Sequence, residues 1–223
     1  IGTADSDLVN VKTLKGVKPY TIRQTDILFV MPQADYPEID ASQVIDADGI
    51  IDLTSKMGAD GKLSWDVPAG DWTIMRFVAR STGQTTRPAP RAGHGFECDK
   101  FSAEAYRRHW DNYQGRLIEK LGSLTPGKGL TTIHLDSWEM SSQNWSAAFR
   151  KEFKKRRGYD PQPYYPAYMG LVVDSLEKTE RFLWDMRKTS QELVLENHAS
   201  AIKGIAHEHG LNYSNEPYDM NPA

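Results

Sequence analysis

The segment TTIHLDSWEMSSQNW (131–145) ends a run of strand-forming residues on two acids, Asp136 and Glu139, with Trp138 between them. LNYSNEPY (211–218) repeats the arrangement, placing Asn215 and Glu216 where a second strand runs out. Two carboxyl groups on opposite sides of a glycosidic bond can divide its hydrolysis: one, protonated, donates to the leaving oxygen, while the other, ionised, activates water or attacks carbon. Glu139 and Glu216 are the candidate pair, set against the simpler reading that each is a solvated strand-end acid. Trp138 and Trp145 flank Glu139 and, with Tyr218, could stack on sugar rings, although packing at the rim of a core accounts equally well for indoles here. Asp136 and Asn215 complete the polar set as candidates for substrate hydroxyls.

A second constellation lies in GFECDK, where Glu97 and Asp99 are two residues apart and on a strand would point to one side. Together with Asp136 they could offer oxygens to a hard divalent cation such as Ca²⁺. Paired surface acids, or a bridge to Lys100 or an arginine, is the competing use. Cys98 then faces the other way, into the core. His134 is either a floor residue of the site or a hydrogen-bonded core histidine, and the second is preferred. HEHG holds His207 and His209 two apart on a helix, without the HExxH spacing a zinc hydrolase needs. There is no glycine-rich phosphate loop and no GxSxG elbow, so nucleotide chemistry and serine hydrolysis lack support.

These residues need elements to position them. The chain has 223 residues, 39% hydrophobic and 26% charged, enough for one large or two small domains with a real core. A net charge of -3 leaves no basic field for nucleic acid, one cysteine cannot form an internal disulfide, and no apolar run reaches the ~18 residues of a membrane span. YTIRQTDILFV (20–30) and GDWTIMRFVAR (70–80) read as strands, with turns at Asp60-Gly61 and Pro68-Ala69-Gly70, so residues 1–83 are expected to form an antiparallel β module. STGQTTRPAPRAGHG (81–95) reads as a connection.

From there strand and helix alternate. Ser102 caps a helix carrying Glu104 in its first turn, with Tyr106, Trp110, Tyr113, Leu117 and Leu121 on one face up to Gly122. GLTTIHLD is a strand with Ile133 and Leu135 on one side and His134 on the other. SAAFRKEFKKRR is a helix stopped at Gly158, and a Pro-rich loop follows. Asp174 with Glu177 opens a long helix that runs to Gly210, ahead of the strand LNYSNE. Strand, helix, strand implies parallel strands, and in (β/α) barrels the C-terminal strand ends carry the chemistry. Asp136, Glu139, Asn215 and Glu216 would then converge on one rim.

Taken together, LSWDVPAGDWTIMRF, GFECDKFSAEA, HLDSWEMSSQNW, FKKRRGYDPQPYYP and NEPY resemble the family 106 glycoside hydrolases, the α-L-rhamnosidases, from about residue 60 to the end. The resemblance implies a (β/α)8 catalytic barrel with added β-domains, inversion by two glutamates, and calcium at the sugar hydroxyls. It also implies terminal α-L-rhamnosyl linkages of plant-type polysaccharides as substrate, and a periplasmic or secreted enzyme. By motif it carries over Glu139 of DSWE and Glu216 of NEPY as the catalytic pair, leaving acid and base undecided. Inversion implies a separation of ~6.5 to 9.5 Å, against ~5 to 5.5 Å for retention.

Members of that family are far longer than this chain, and a complete barrel takes ~250 residues. Residues 84–223 could supply three or four β/α units, so the expected fold class is α/β: a partial (β/α)8 barrel behind the β module. The start IGTADSDLV, without Met, reads as that of an excised internal piece, whose uncovered sheet edges could drive oligomerisation. The alternative function is a non-catalytic carbohydrate-binding module.

Overall fold

The computed structural model describes residues 38–81, 83, 85–86, 89–122, 129–136 and 143–216. Their elements are β1 (Val44–Ile45), α1 (Ala103–Asn112), α2 (Gln114–Leu121), β2 (Thr132–Leu135), α3 (Phe149–Arg157), β3 (Val172–Val173), α4 (Leu176–Val194), a π-helical turn (Leu195–Ala199), α5 (Ser200–Glu208) and β4 (Asn212–Asn215). The sheets among them are two parallel pairs, β1 with β3 and β2 with β4. No helix of the described residues is long and apolar enough to cross a membrane. The chain divides into two compact units.

The first unit joins residues 38–78 to Asp160–Leu183, so it is discontinuous in sequence. Its strand β1 pairs in parallel with β3, Val44 opposite Val172 and Ile45 opposite Val173. Antiparallel pairing among the described residues is confined to the Met57–Leu63 bridge around the expected Asp60-Gly61 turn. The expected strand over 20–30 lies outside the described residues, and residues 70–80 form no strand with another described segment. Trp72 donates its indole N–H to the Pro68 carbonyl at 3.0 Å and meets Trp65 edge-on at 5.3 Å, and Phe77 meets Tyr165 at 5.5 Å. In the same unit Tyr164 stacks on the buried Phe182 at 5.5 Å, and Tyr168 meets the same ring edge-on.

The expected cap of the long helix shifts by one residue. Ser175, not Asp174, accepts from the Lys178 N–H at 3.1 Å. Asp174 adopts a left-handed backbone with φ 59 and turns its carboxylate to other donors: the Ala47 N–H at 2.9 Å, the Tyr164 hydroxyl at 3.2 Å and Lys178 at 2.9 Å. These bonds hold its pKa below the usual value, although burial works the other way.

In the second unit Ser102 caps α1 as its sequence requires, accepting from the Ala105 N–H at 3.2 Å. The single helix expected up to Gly122 breaks at Tyr113, where φ -127 and ψ -83 leave the helical region. Tyr106 and Trp110 are therefore buried, but Tyr113, Leu117 and Leu121 are exposed, and Ile118 takes their place against the core. Gly115 packs closely on Trp110 just after the break. A Cβ there would lie 3.1 Å from the Trp110 carbonyl and 3.3 Å from its indole nitrogen. The core beneath consists of Tyr106, Trp110, Ile202, Ile205, Ala206 and Leu211, against which Cys98, Ile133, Leu135 and Tyr213 pack. Cys98 faces the core as expected, and burial raises its thiol pKa.

Helix α3 ends at Gly158, whose φ of 82 suits the residue after a helix C-terminus. Its basic end is more than a solvated dipole partner. Arg156 bonds Glu152, Glu192 and Glu196, while Arg157 bonds Glu192 and also Thr189 at 3.0 Å. These pairs tie α3 to the start of the π-helical turn. The turn in its own right presents Asn197 to the Phe101 carbonyl at 2.9 Å and His198 edge-on to Tyr106 at 5.6 Å.

Burial drives the His198 pKa down to about 4 from 6.5, with Lys100 adding to the shift and Glu97 opposing it. Because the unfolded chain takes up that proton first, the contribution of the neutral ring is complete above about pH 6.5 and is lost as pH falls toward about 4. At about 1.4 kcal/mol per pH unit this approaches roughly 3 kcal/mol. Denaturant unfolding followed from neutral pH down to about pH 4 should show the decline, and His198→Gln should flatten it. An unchanged slope in the variant would assign the acid sensitivity to other groups.

Candidate active site

The parallel register of β2 and β4 places Ile133 opposite Tyr213, His134 opposite Ser214 and Leu135 opposite Asn215. The ladder continues past both strands: the Asn212 N–H donates to the Thr131 carbonyl at 2.8 Å, and the Glu216 N–H to the Leu135 carbonyl at 2.9 Å. Alternate residues of a strand face opposite sides. Ile133, Leu135 and Tyr213 lie on the side that packs on Trp110 and Ile202. The other side carries His134, Ser214, Asp136 and Glu216, all exposed.

The two strands meet chemically on that polar side. The His134 Nδ1 and the Ser214 hydroxyl are 2.8 Å apart, in a bond whose direction depends on the imidazole tautomer. One nitrogen of His134 and one carboxylate oxygen each of Asp136 and Glu216 lie within 4.8 Å of one another. This trio can bind a polyol through hydrogen bonds, present a carboxylate to a reacting centre, or offer oxygens to a cation. For calcium the two carboxylates are suitable hard donors, whereas an imidazole is not.

Of the residues singled out in the sequence, Asp136 and Glu216 come together. Asn215 is exposed at the end of β4 but alternates to the other side of the strand from Glu216. Trp145 is half-buried, its ring 5.1 Å from that of Phe149, so part of its surface is committed to the core. Glu139, Trp138 and Tyr218 lie outside the described residues, and with them the Glu139–Glu216 separation.

Glu97 and Asp99 have protein partners. Glu97 pairs with the buried Lys100 at 2.9 Å. One Asp99 carboxylate oxygen accepts from the Phe101 N–H at 2.9 Å and from the Gln143 amide at 2.5 Å. The preferred reading of His134 is corrected, and Ser214 was not apparent from sequence. His134 is exposed and paired with a hydroxyl and is not a core histidine, and Ser214 escaped notice because a lone serine carries no chemical signature. The period-2 alternation of IHLD and NYSNE would have found both, had it been carried across the ladder as well as along each strand.

The family profile described as alpha-L-rhamnosidase, Glyco_hydro_106, matches residues 25–222. The chain belongs to glycoside hydrolase family 106. A similar solved structure is that of the rhamnosidase from Novosphingobium sp. PP1Y, with a TM-score of 0.67 and 33% identity over 77% of this chain and 17% of that one. A relative in sequence is a Formosa agariphila protein named "Putative beta-glucuronidase", 39% identical over 180 residues, which are 81% of this chain and 15% of that protein. The chain thus spans about a sixth of the length of these two relatives.

His134 and Ser214 are both exposed, so their pairing should contribute little to stability. His134→Ala and Ser214→Ala should each change stability by no more than about 0.5 kcal/mol, or roughly 2 °C in Tm. Thermal unfolding measures this directly, and a drop above about 5 °C would show the pair to be structural.

Proposed function

We propose that the protein hydrolyses terminal α-L-rhamnosyl linkages, with Glu139 and Glu216 as the two working carboxyl groups and inversion at the anomeric carbon. The observation that carries the reading is the meeting of Asp136 and Glu216 at the ends of two adjacent parallel strands, in a chain of family 106. On this reading β2 and β4 are neighbouring staves of a (β/α) barrel, whose C-terminal rim is where such folds keep their chemistry. One glutamate, protonated, donates to the leaving oxygen. The other, ionised, takes a proton from the attacking water. Asp136 and His134 bind sugar hydroxyls beside Glu216, and Trp138, Trp145 and Tyr218 offer aromatic faces to the ring. Polysaccharides of the plant type, met outside the cytoplasm, are the proposed setting.

Calcium is part of the proposal. Asp136, with Glu97 and Asp99, would offer it carboxylate oxygens, leaving Glu216 for proton transfer. When bound, the ion would supply a positive centre for sugar hydroxyls, with coordination positions to spare. EGTA should then lower activity, and Ca²⁺ should restore it better than Mg²⁺, whose small octahedral shell suits a sugar diol poorly. Full activity after thorough chelation would remove the ion from the scheme.

Glu139→Gln and Glu216→Gln in the full-length protein should each lower kcat on an aryl α-L-rhamnoside by ~10²- to 10⁴-fold. Wild-type rates in either would end that residue's assignment. The name of the Formosa relative supports a second reading, a β-glucuronide substrate. Parallel assays on aryl α-L-rhamnoside and aryl β-D-glucuronide decide between them. Tight binding of rhamnose-containing oligosaccharides without turnover of either substrate would favour a carbohydrate-binding module.

A further inference from the structure

A serine beside a histidine on a neighbouring strand can select the tautomer of its ring. His134 and Ser214 are register partners on β2 and β4, and their side chains meet at 2.8 Å through Nδ1 and the hydroxyl. Both are exposed, so water could satisfy either group in place of the other. What the pairing adds is a fixed imidazole: with Nδ1 taken, the ring is held in one orientation and Nε2 is the nitrogen left for a ligand. A neutral imidazole carries one N–H and one acceptor nitrogen, and the partner of the first nitrogen decides what the second can do. If the serine donates to Nδ1, the proton lies on Nε2. If Nδ1 donates to the serine, Nε2 is an acceptor.

The acids two residues further along each strand decide between these states. Asp136 and Glu216 share the face of His134 and Ser214, and one oxygen of each lies within 4.8 Å of a nitrogen of the His134 ring. Ionised, both acids are acceptors only. Their charge repels a lone pair turned toward them and attracts an N–H, which favours the state with the serine as donor and the proton on Nε2. We infer that Ser214 is a positioning residue: by donating to His134 Nδ1 it makes the imidazole an N–H donor beside the Asp136 and Glu216 carboxylates. The ligand this fits is a sugar hydroxyl that gives its proton to a carboxylate oxygen and accepts from Nε2. Two carboxylates alone would leave such a hydroxyl without a donor. The inference rests on the proposed glycosidase reading and adds Ser214 to it.

The test is steady-state kinetics of the full-length protein on the aryl glycoside that the wild type hydrolyses. Ser214→Ala frees the ring to turn and to take either tautomer, and should lower kcat/KM by ~3- to 10-fold, the effect of about one hydrogen bond. Ser214→Thr keeps the hydroxyl on a residue that suits a strand, and should recover most of the loss. His134→Ala should lower kcat/KM by ~10- to 100-fold. Adding Ser214→Ala to it should change the value by less than about 2-fold, because the serine acts through the ring. A merely structural serine would instead lower Tm and show its full effect in both backgrounds. Monodeoxy forms of the glycoside locate the contact: on the form lacking the hydroxyl held by Nε2, the losses in Ser214→Ala and His134→Ala should shrink to within about 2-fold. Wild-type kcat/KM in Ser214→Ala, a threonine variant no better than the alanine, an undiminished serine effect in the His134→Ala background, or losses unchanged on every monodeoxy form overturns the inference. Glu216→Gln run alongside separates the two levels. If its kcat falls while Ser214→Ala is unimpaired, only the positioning role falls; if it keeps wild-type kcat, the role of Glu216 and this inference fall together.

Discussion

The candidate site depends on the register of one short parallel ladder. β2 and β4 have four residues each, and their pairing of His134 with Ser214 decides which side chains share a face. A slip by one residue would turn Ser214 and Glu216 away from Asp136, because side chains alternate along a strand. The register is held by what lies behind it. Ile133, Leu135 and Tyr213 are partly buried against the core of Trp110, Ile202 and Ile205, so a one-residue slip would expose apolar surface. Each large aliphatic side chain so exposed would cost about 1.5 to 3 kcal/mol. The polar side is exposed and needs no such fit.

The helices behind the ladder are shaped by the π-helical turn. A π turn adds a residue to the helical repeat and redirects the side chains that follow it, a feature often found at functional sites. Here the turn lets one helical course, from α4 into α5, serve two neighbours. Its Glu196 meets Arg156 of α3, while Asn197 and His198 meet the loop at Phe101 and the ring of Tyr106. The network of Arg156 and Arg157 with Glu192 and Glu196 is only partly exposed, so solvent screens it less than it would an isolated surface pair. The helical scaffold, the Phe101 loop and Gln143 thus form a continuous hydrogen-bonded path.

Both units also show local propensity overruled. WTIMRFV has the β-branched and aromatic content of a strand, yet among the described residues it pairs with no other segment, and Val78 and Ile74 are exposed. Strand propensity is largely a measure of packing against partners. At Tyr113 the helix breaks although its apolar spacing continues, and two residues on Gly115 lies where a Cβ would crowd Trp110. Asp174 had the type and position of a cap but was drawn to Ala47, a contact 127 residues away that no local rule anticipates.

What the sequence determined by itself was local chemistry and periodicity. Ser102 as a cap, Gly158 as a helix stop, the alternation in TIHL and the acids at two strand ends all follow from short-range sterics and hydrogen bonding, and all are present. The tertiary structure decided pairing across the chain. It brought Asp136 to Glu216, gave His134 its hydroxyl at Ser214, turned Asp99 from the solvent to Gln143, and joined residues 38–78 to a segment beyond Asp160. The physical reason is that an acid, an amide or an imidazole can satisfy its hydrogen bonds with many partners. Only the burial of distant apolar faces, such as Trp110 against Ile202, determines which of those partners is within reach.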